Sequence, residues 1–180
     1  MRYALILVLL VTGVASCDST KPTNPLAERE AVALLREISR LMVGIGTVAC
    51  SIGGEATVTE TGDQGEDGDS LWAHIRWTVT LTDCEANVVN DTLTLNGEPN
   101  VQLTSDSWVV FDDDYEVVKA EARLVVGGAM TWRRRNGDAD TCSVDLTFES
   151  TEFDNDEGFT GDFKGRMCGF DLVVNISELF

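Results

Sequence analysis

The chain has few of the side chains that support common enzyme mechanisms. Its 180 residues include one histidine, two tyrosines and three prolines. A Ser/His/Asp mechanism needs a histidine as proton acceptor, and His74 has no nucleophile motif beside it. No Gly-x-Gly-x-x-Gly or phosphate loop follows a predicted strand. We therefore expect no nucleotide or other cofactor and no nucleophilic catalysis.

Positive charge is also scarce, because 13 Lys and Arg face 31 Asp and Glu for a net charge of −18. Such a charge repels nucleic acid and anionic lipid surfaces, so nucleic-acid binding is excluded as a function class. Between residues 41 and 118 the only Lys or Arg is Arg76, against fifteen acids. A solvated acidic surface is the favoured interpretation, and a site for a cation or basic partner is the alternative.

The N-terminus has an apolar run that is too short for a membrane span of about 20 residues. Arg2 precedes the apolar residues 4–15, as in an export signal, and the run ends in Val14-Ala15-Ser16-Cys17. This ending resembles the lipobox of bacterial lipoproteins. An uncleaved anchor and an ordinary signal peptide with an incidental cysteine are the alternatives.

The lipobox resemblance implies a complete set of expectations about processing and location. Residues 1–16 would be removed, and Cys17 would carry fatty acyl chains such as palmitate. Residues 17–25 would form a linker, and residues 26–180 a single domain. The processed chain from Cys17 onward would carry a net charge of 12 − 31 = −19. Two or more chains hold a protein durably on a lipid membrane. The expected location is the bacterial cell envelope, facing the periplasm or the exterior, with inner and outer membrane both open.

Four further cysteines, at positions 50, 84, 142 and 168, fit an oxidising compartment. They include no Cys-x-x-Cys pair and have only one histidine to join them, so a zinc site is not expected. Three pairings are possible. We favour Cys50 with Cys84 and Cys142 with Cys168, because each bridge then closes within one half of the chain.

Hydrophobic periodicity predicts one helix followed by many strands. Ala27, Ala31, Leu34, Ile38 and Leu41 recur on one face, which predicts a packing helix over 26–43. Strict alternation predicts a strand over 71–82. Further strands are predicted at 92–95, 101–104, 108–111, 115–126, 129–135, 142–149, 159–166 and 170–176, with turns that include Asn96-Gly97, Gly127-Gly128 and Asn136-Gly137. The fold class is therefore mainly β, an antiparallel meander forming a barrel, half barrel or sandwich.

Three segments of the predicted domain carry a second resemblance. They are Gly128-Ala129-Met130-Thr131-Trp132, Cys142-Ser143-Val144-Asp145-Leu146-Thr147 and Gly165-Arg166-Met167-Cys168-Gly169. Together they are similar to a tryptophan-bearing hairpin followed by a Cys-Gly strand start in uncharacterised bacterial lipoproteins. The resemblance implies no activity.

The candidate binding residues are Trp72, His74 and Arg76, which share the polar register of the strand predicted at 71–82. Tryptophan supplies a large apolar area with one polar group, and Trp77, Trp108 and Trp132 are further contributors. Trp77 lies on the apolar register and is expected in the core. Asp112, Asp114, Asp154 and Asp156 are weak candidates for a metal, because Asp-rich turns are usually only turns.

Three functions agree with these features. The preferred one is a membrane-tethered envelope domain that binds a protein partner or an apolar ligand without catalysis. A structural lipoprotein without a ligand is the first alternative, and a hydrolase built on paired carboxylates is the second. The sequence predicts no particular oligomeric state.

Overall fold

The computed structural model describes residues 25–89, 91–97, 100–154 and 158–179, so the predicted signal segment, Cys17 and Asp156 lie outside the described residues. It is mainly antiparallel β with one α-helix, as predicted. In chain order the elements are α1 (Glu28–Met42), β1 (Gly46–Ala49), β2 (Gly53–Asp67), β3 (Ser70–Val88), β4 (Asp91–Asn96), β5 (Val101–Phe111), β6 (Val117–Arg134), β7 (Ala139–Ser150), β8 (Phe153–Asp154), β9 (Gly158–Phe159), β10 (Asp162–Met167), β11 (Phe170–Asn175) and a 3-10 helix η1 (Ile176–Glu178).

The strands form one large antiparallel meander and a separate β8–β9 pair. Pairing follows the order β1, β2, β3, β4, β6, β7, β10, β11, and β5 also lies between β3 and β6. β4 pairs with the second half of β3, and β5 pairs with the first half. β4 and β5 therefore run in the same direction as one interrupted row. The predicted turn at Asn96-Gly97 interrupts this row without reversing the chain.

Helix α1 packs on one half of this sheet. Four residues of its predicted apolar stripe, Ala31, Leu34, Ile38 and Leu41, have no exposed surface. The fifth, Ala27, is exposed, because it lies before the first helical residue rather than inside a helix that starts at 26. The helix begins at Glu28, where the Glu30 carboxylate accepts a hydrogen bond of 2.7 Å from the backbone N–H of Ala27. It ends at Met42, one residue before the predicted end at 43. Among the described residues, no helix has the length and apolar character needed to cross a membrane.

The predicted turn at Gly127-Gly128 is wrong, since both glycines lie inside the continuous strand β6. Gly128 has a φ of +117°, and a Cβ there would come within 2.2 Å of the Asn100 carbonyl oxygen. The glycine is required because the junction between β4 and β5 presses against β6. Strands 101–104 and 108–111 likewise merge into β5, and 115–126 and 129–135 merge into β6.

Strands β1 and β2 are absent from the prediction. β2 is 15 residues long, but only Ala56 and Val58 are buried. Its remaining residues are largely Gly, Thr, Asp and Glu, so no apolar alternation marks it. Pairing with β3 along nearly its whole length holds it in the sheet.

A β-bulge in β3 reverses which residues face the core. Val79 and Leu81 point inward, then Thr82 and Asp83 are both exposed, and Cys84, Ala86 and Val88 point inward. Asp83 has a positive φ of 43°, and its N–H donates to the Asn96 side chain over 2.9 Å. The extra residue turns Cys84 toward the helix side of the sheet.

Both predicted disulfides are confirmed. Cys50 is bonded to Cys84 across 34 residues, and Cys142 to Cys168 across 26 residues. The first bridge ties the segment after α1 to β3, and the second ties β7 to the turn between β10 and β11. Each closes a loop within one half of the chain, which restricts the unfolded ensemble.

A buried arginine joins the helix to the sheet. The Arg134 side chain is 4% exposed, and its Nη2 atom donates to both carboxylate oxygens of Glu30 at 3.0 and 2.9 Å. Its Nη1 atom donates to Asp91. Glu30 lies in the first turn of α1 and Asp91 begins β4, so one guanidinium fixes the start of the helix against two strands.

Removal of this guanidinium should destabilise the fold far more than removal of its neighbour. We expect Arg134→Met to lower the free energy of unfolding by about 3 to 5 kcal/mol, because it leaves two carboxylates without their shared partner. Arg133 is exposed on the opposite face, and Arg133→Met should change stability by about 0.5 kcal/mol or less. Urea denaturation of both variants measures the difference. Equal stability of the two variants would contradict the role of Arg134.

The same contact predicts a pH dependence. The hydrogen bond from Arg134, followed by that from the Thr92 backbone, lowers the pKa of the Asp91 carboxyl below its ordinary value of 3.8. A lowered folded-state pKa contributes stability above 3.8 that is lost as the pH falls through the folded-state value.

Asp91→Asn should therefore be less stable than the wild type at neutral pH, by about 1 kcal/mol for a partly exposed carboxylate. The two proteins should converge in stability as the pH falls below 3.8. Urea denaturation at a series of pH values tests this. A stability difference that stays constant down to the lowest pH would show that the charge of Asp91 does not stabilise the fold.

Candidate functional site

Helix α1 covers only one half of the sheet. The other half, beyond Met42, is not covered by α1 on either face. It consists of the first part of β3, all of β5, the first part of β6 and the neighbouring ends of β2 and β7. We call the face on the helix side the inner face and the opposite one the outer face. Because side chains alternate along a strand, Trp77 lies on the inner face, and Trp72, His74 and Arg76 lie on the outer one.

The outer face contains a depression of about 580 Å³. Trp72 on β3 is paired directly with Trp108 on β5, and both contribute to the wall. The wall also contains charged side chains from four strands, namely His74, Asp106, Glu121, Arg123 and Glu149. The depression therefore combines aromatic surface with hydrogen-bond donors and acceptors.

The charged residues form a row across the sheet. Register pairs Asp63 with His74, His74 with Asp106, Asp106 with Arg123, and Arg123 with Glu149. Basic and acidic residues therefore alternate over five strands. His74 Nδ1 contacts the Asp106 carboxylate, and Arg123 Nε donates to Glu149 over 2.9 Å. These ion pairs hold planar polar groups in place at the surface.

The two tryptophans of the depression have different surroundings. The Trp72 ring lies over Gly65 of β2, where a Cβ would come within 2.7 Å of the ring. The missing side chain of the glycine leaves room for the indole, and Trp72 stays 40% exposed. Trp108 has the Lys119 ammonium 4.6 Å from its ring centroid, and Lys119 is paired with Glu121 over 3.1 Å.

The inner face contains a larger cavity of about 1050 Å³ beyond the end of α1. Its mostly apolar wall comes from the end of α1, from β3, β5 and β6, from β9, and from the end of β11 with η1. The described lining residues are Met42, Val43, Trp77, Leu103, Ser105, Ser107, Ala122, Leu124, Phe159, Thr160, Asn175, Ile176 and Ser177. None of these is ionisable. In a chain with 44 charged residues, this cavity is a neutral surface.

The predicted site residues lie partly at the outer depression, partly at the inner cavity and partly in the core. Trp72 and His74 line the outer depression, whereas Arg76 lies on the same face one pair further along the strand, between Thr61 and Thr104. Trp77 is half-buried against the core, lines the inner cavity and donates from Nε1 to Glu60 over 2.7 Å. Trp132 is buried beside Arg134.

The metal candidates form no described ligand cluster. Asp112 accepts hydrogen bonds from the backbone N–H groups of Asp114 and Glu116, each at 3.0 Å, so it shapes its own turn. Asp154 ends β8, and Asp156 lies outside the described residues. Glu37, Cys50 and Cys84 do lie close together. Their two sulfur atoms form a disulfide, which removes the thiolates that a metal would need.

Four charged residues of the outer depression were not predicted as site residues: Asp106, Glu121, Arg123 and Glu149. They stand on β5, β6 and β7, and only strand register brings them beside His74. A sequence signal was present in part, because Asp106 and Trp108 share one register of a strand, as His74 and Trp72 do.

Comparisons with known proteins assign this chain to no group. No protein-family model, no curated protein and no solved structure matches it. Function is therefore inferred from the residues and their geometry.

Proposed function

We propose that this protein is a lipid-anchored envelope lipoprotein whose domain binds an apolar ligand in the inner cavity, without catalysis. The neutrality of that cavity carries the proposal. Its described lining has no ionisable side chain, although about a quarter of the residues in the chain are charged. Exclusion of charge from an accessible concave surface suits an uncharged apolar molecule.

The size and the polar groups of the cavity narrow the ligand class. Ligand sites commonly enclose about 300 to 1,000 Å³, and this cavity of about 1050 Å³ is slightly larger. Ser105 and Ser107 supply hydroxyl groups from β5, whereas the amide of Asn175 is already engaged, donating to Asp162 and accepting from Ser177. A long hydrocarbon with a hydroxyl, ester or amide head group would satisfy both the apolar wall and the serine hydroxyls.

The charged depression supports binding better than hydrolysis. Its carboxylates are each paired with a basic side chain: Asp106 with His74, Glu121 with Lys119, and Glu149 with Arg123. A glycosidase needs one carboxyl group that donates a proton and a second that stays ionised. Three matched ion pairs do not provide that asymmetry, so we infer that the domain has no carboxylate-based hydrolase site here.

The position at which the chain enters the domain supports an N-terminal lipid anchor. Glu30 contacts Arg134, so α1 starts at the sheet end that holds the turn between β6 and β7. The acidic turns around Asp67 and Asp112 lie at the opposite end. An acylated Cys17 would therefore tether the domain by one end and keep its most acidic turns away from anionic lipid.

Filling the inner cavity should weaken binding of an apolar probe. In residues 18–180, exported behind an ordinary cleavable signal peptide, Ser105→Phe should weaken binding of the neutral fluorophore N-phenylnaphthylamine by about tenfold or more, because the ring occupies ligand space. Thr104→Phe places the same ring on the outer face of the same strand and should leave binding unchanged. Fluorescence titration measures both.

Two results would count against the cavity as the ligand site. One is an unmodified protein that does not enhance probe fluorescence. The other is equal binding by the Ser105→Phe and Thr104→Phe variants. In the first case a structural lipoprotein without a ligand becomes the better description.

The anchor has a separate test. We expect Cys17→Ala to block both precursor processing and acylation, because Cys17 is the residue that the lipobox pattern modifies. The unaltered protein should partition into the detergent phase and show an acylated N-terminal cysteine by mass spectrometry. Ser51→Ala, at an exposed site in the domain, serves as the control. Normal processing and membrane association of Cys17→Ala would refute the lipoprotein assignment.

A further inference from the structure

The outer depression has a chemistry that the apolar inner cavity does not share. It combines two partly exposed indoles with acidic and basic groups that are already paired with one another. An apolar ligand would have to desolvate these charges at a cost of several kcal/mol. The proposed apolar ligand therefore does not suit the outer face, which needs a different occupant.

Charged occupants suit this face poorly. An anion would meet the field of a chain with net charge −18, together with three carboxylates in the depression. A cation would have to displace His74, Arg123 or Lys119 from the carboxylates that those residues already hold. The remaining class is an uncharged ligand with many hydrogen-bonding groups.

We propose that the outer depression is a binding site for an uncharged oligosaccharide. A sugar ring has an apolar C–H face, which packs on an indole, and a rim of hydroxyl groups that donate and accept. Trp72, which contacts Gly65 and is still 40% exposed, supplies the aromatic surface. Asp106 and Glu149 supply acceptors, and Arg123 supplies donors.

The geometry favours a chain of sugars over a single ring. The polar groups stand on β3, β5, β6 and β7, which are successive neighbours in the sheet. Three gaps between strands span about 14 Å. His74 and Asp106, and likewise Arg123 and Glu149, already contact each other across neighbouring strands. These contacts restrict their rotamers before the ligand arrives, so less conformational entropy is lost on binding.

The test uses the full lipidated protein in a zwitterionic detergent that carries no sugar. Calorimetric titration with maltohexaose, cellohexaose and the hexamer of N-acetylglucosamine should show saturable binding of at least one. Trp72→Ala should weaken that binding about tenfold or more. Leu71→Ala removes an exposed apolar side chain from the adjacent inner-face position and should leave the affinity unchanged.

A second variant keeps the test independent of folding. Asp106→Asn preserves the shape of the side chain but replaces one acceptor oxygen with a donor, so it should weaken saccharide binding with an unchanged urea midpoint. The proposal is overturned if none of the three oligosaccharides binds at millimolar concentration. Equal affinities of Trp72→Ala and Leu71→Ala would also overturn it, as would saturable binding of spermine on this face in place of the saccharides.

Discussion

The ion pairs of Arg134 determine where the helix lies, and most other features of the structure depend on that position. A guanidinium that is 4% exposed needs partners, and it finds them in Glu30 on α1 and Asp91 on β4. The start of α1 is therefore fixed at one end of the sheet. A helix of 15 residues extends only about 22 Å from there, and strands as long as the 19 residues of β3 reach well beyond its end.

This difference in length produces both candidate sites. Under the helix, inward side chains of β3, β4 and β6 pack into a continuous core that includes Leu93, Leu95 and Met130. Beyond Met42, β3 and β6 continue past the end of α1 and pair there with β5 in place of β4, and the inner face of β3, β5 and β6 becomes a wall of the neutral cavity. Their outer face carries the charged row. Because the helix is shorter than the sheet, the packed core under α1 is separate from the surfaces beyond Met42 that can bind ligands.

Sequence periodicity predicted the fold class because it reports local geometry. The helical stripe from Ala31 to Leu41 and the alternation around Val79 depend on neighbouring residues alone, and both are present in the structure. Alternation does not predict strands whose conformation is determined by tertiary contacts. Gly128 resembles a turn residue in sequence, yet it is a strand residue that makes room for Asn100. β2 has almost no apolar residues because most of it lies outside the core.

The candidate sites were less predictable than the fold for the same reason. Trp72 and His74 share one strand, so their common face follows from alternation. Their neighbours Arg123 and Glu149 are more than 45 residues away in sequence, and only register aligns them. Disulfide pairing was predictable because it rested on loop length within each half of the chain. The inner cavity depends on where α1 stops relative to β5, which local periodicity does not encode.

Register also explains how alternate residues of the same strands form two chemically different faces. On β5, Leu103, Ser105 and Ser107 face the neutral cavity, whereas Thr104, Asp106 and Trp108 face outward. A slip of one residue would exchange the two sets and place Asp106 among apolar side chains. The bulge at Asp83 absorbs the change of phase within β3, so that Cys84 can reach Cys50 while Trp77 keeps its inward position. The first disulfide then holds the bulged segment beside the end of α1. The register that keeps the two faces distinct is thus fixed from the covered half of the sheet, where the chain is most tightly packed.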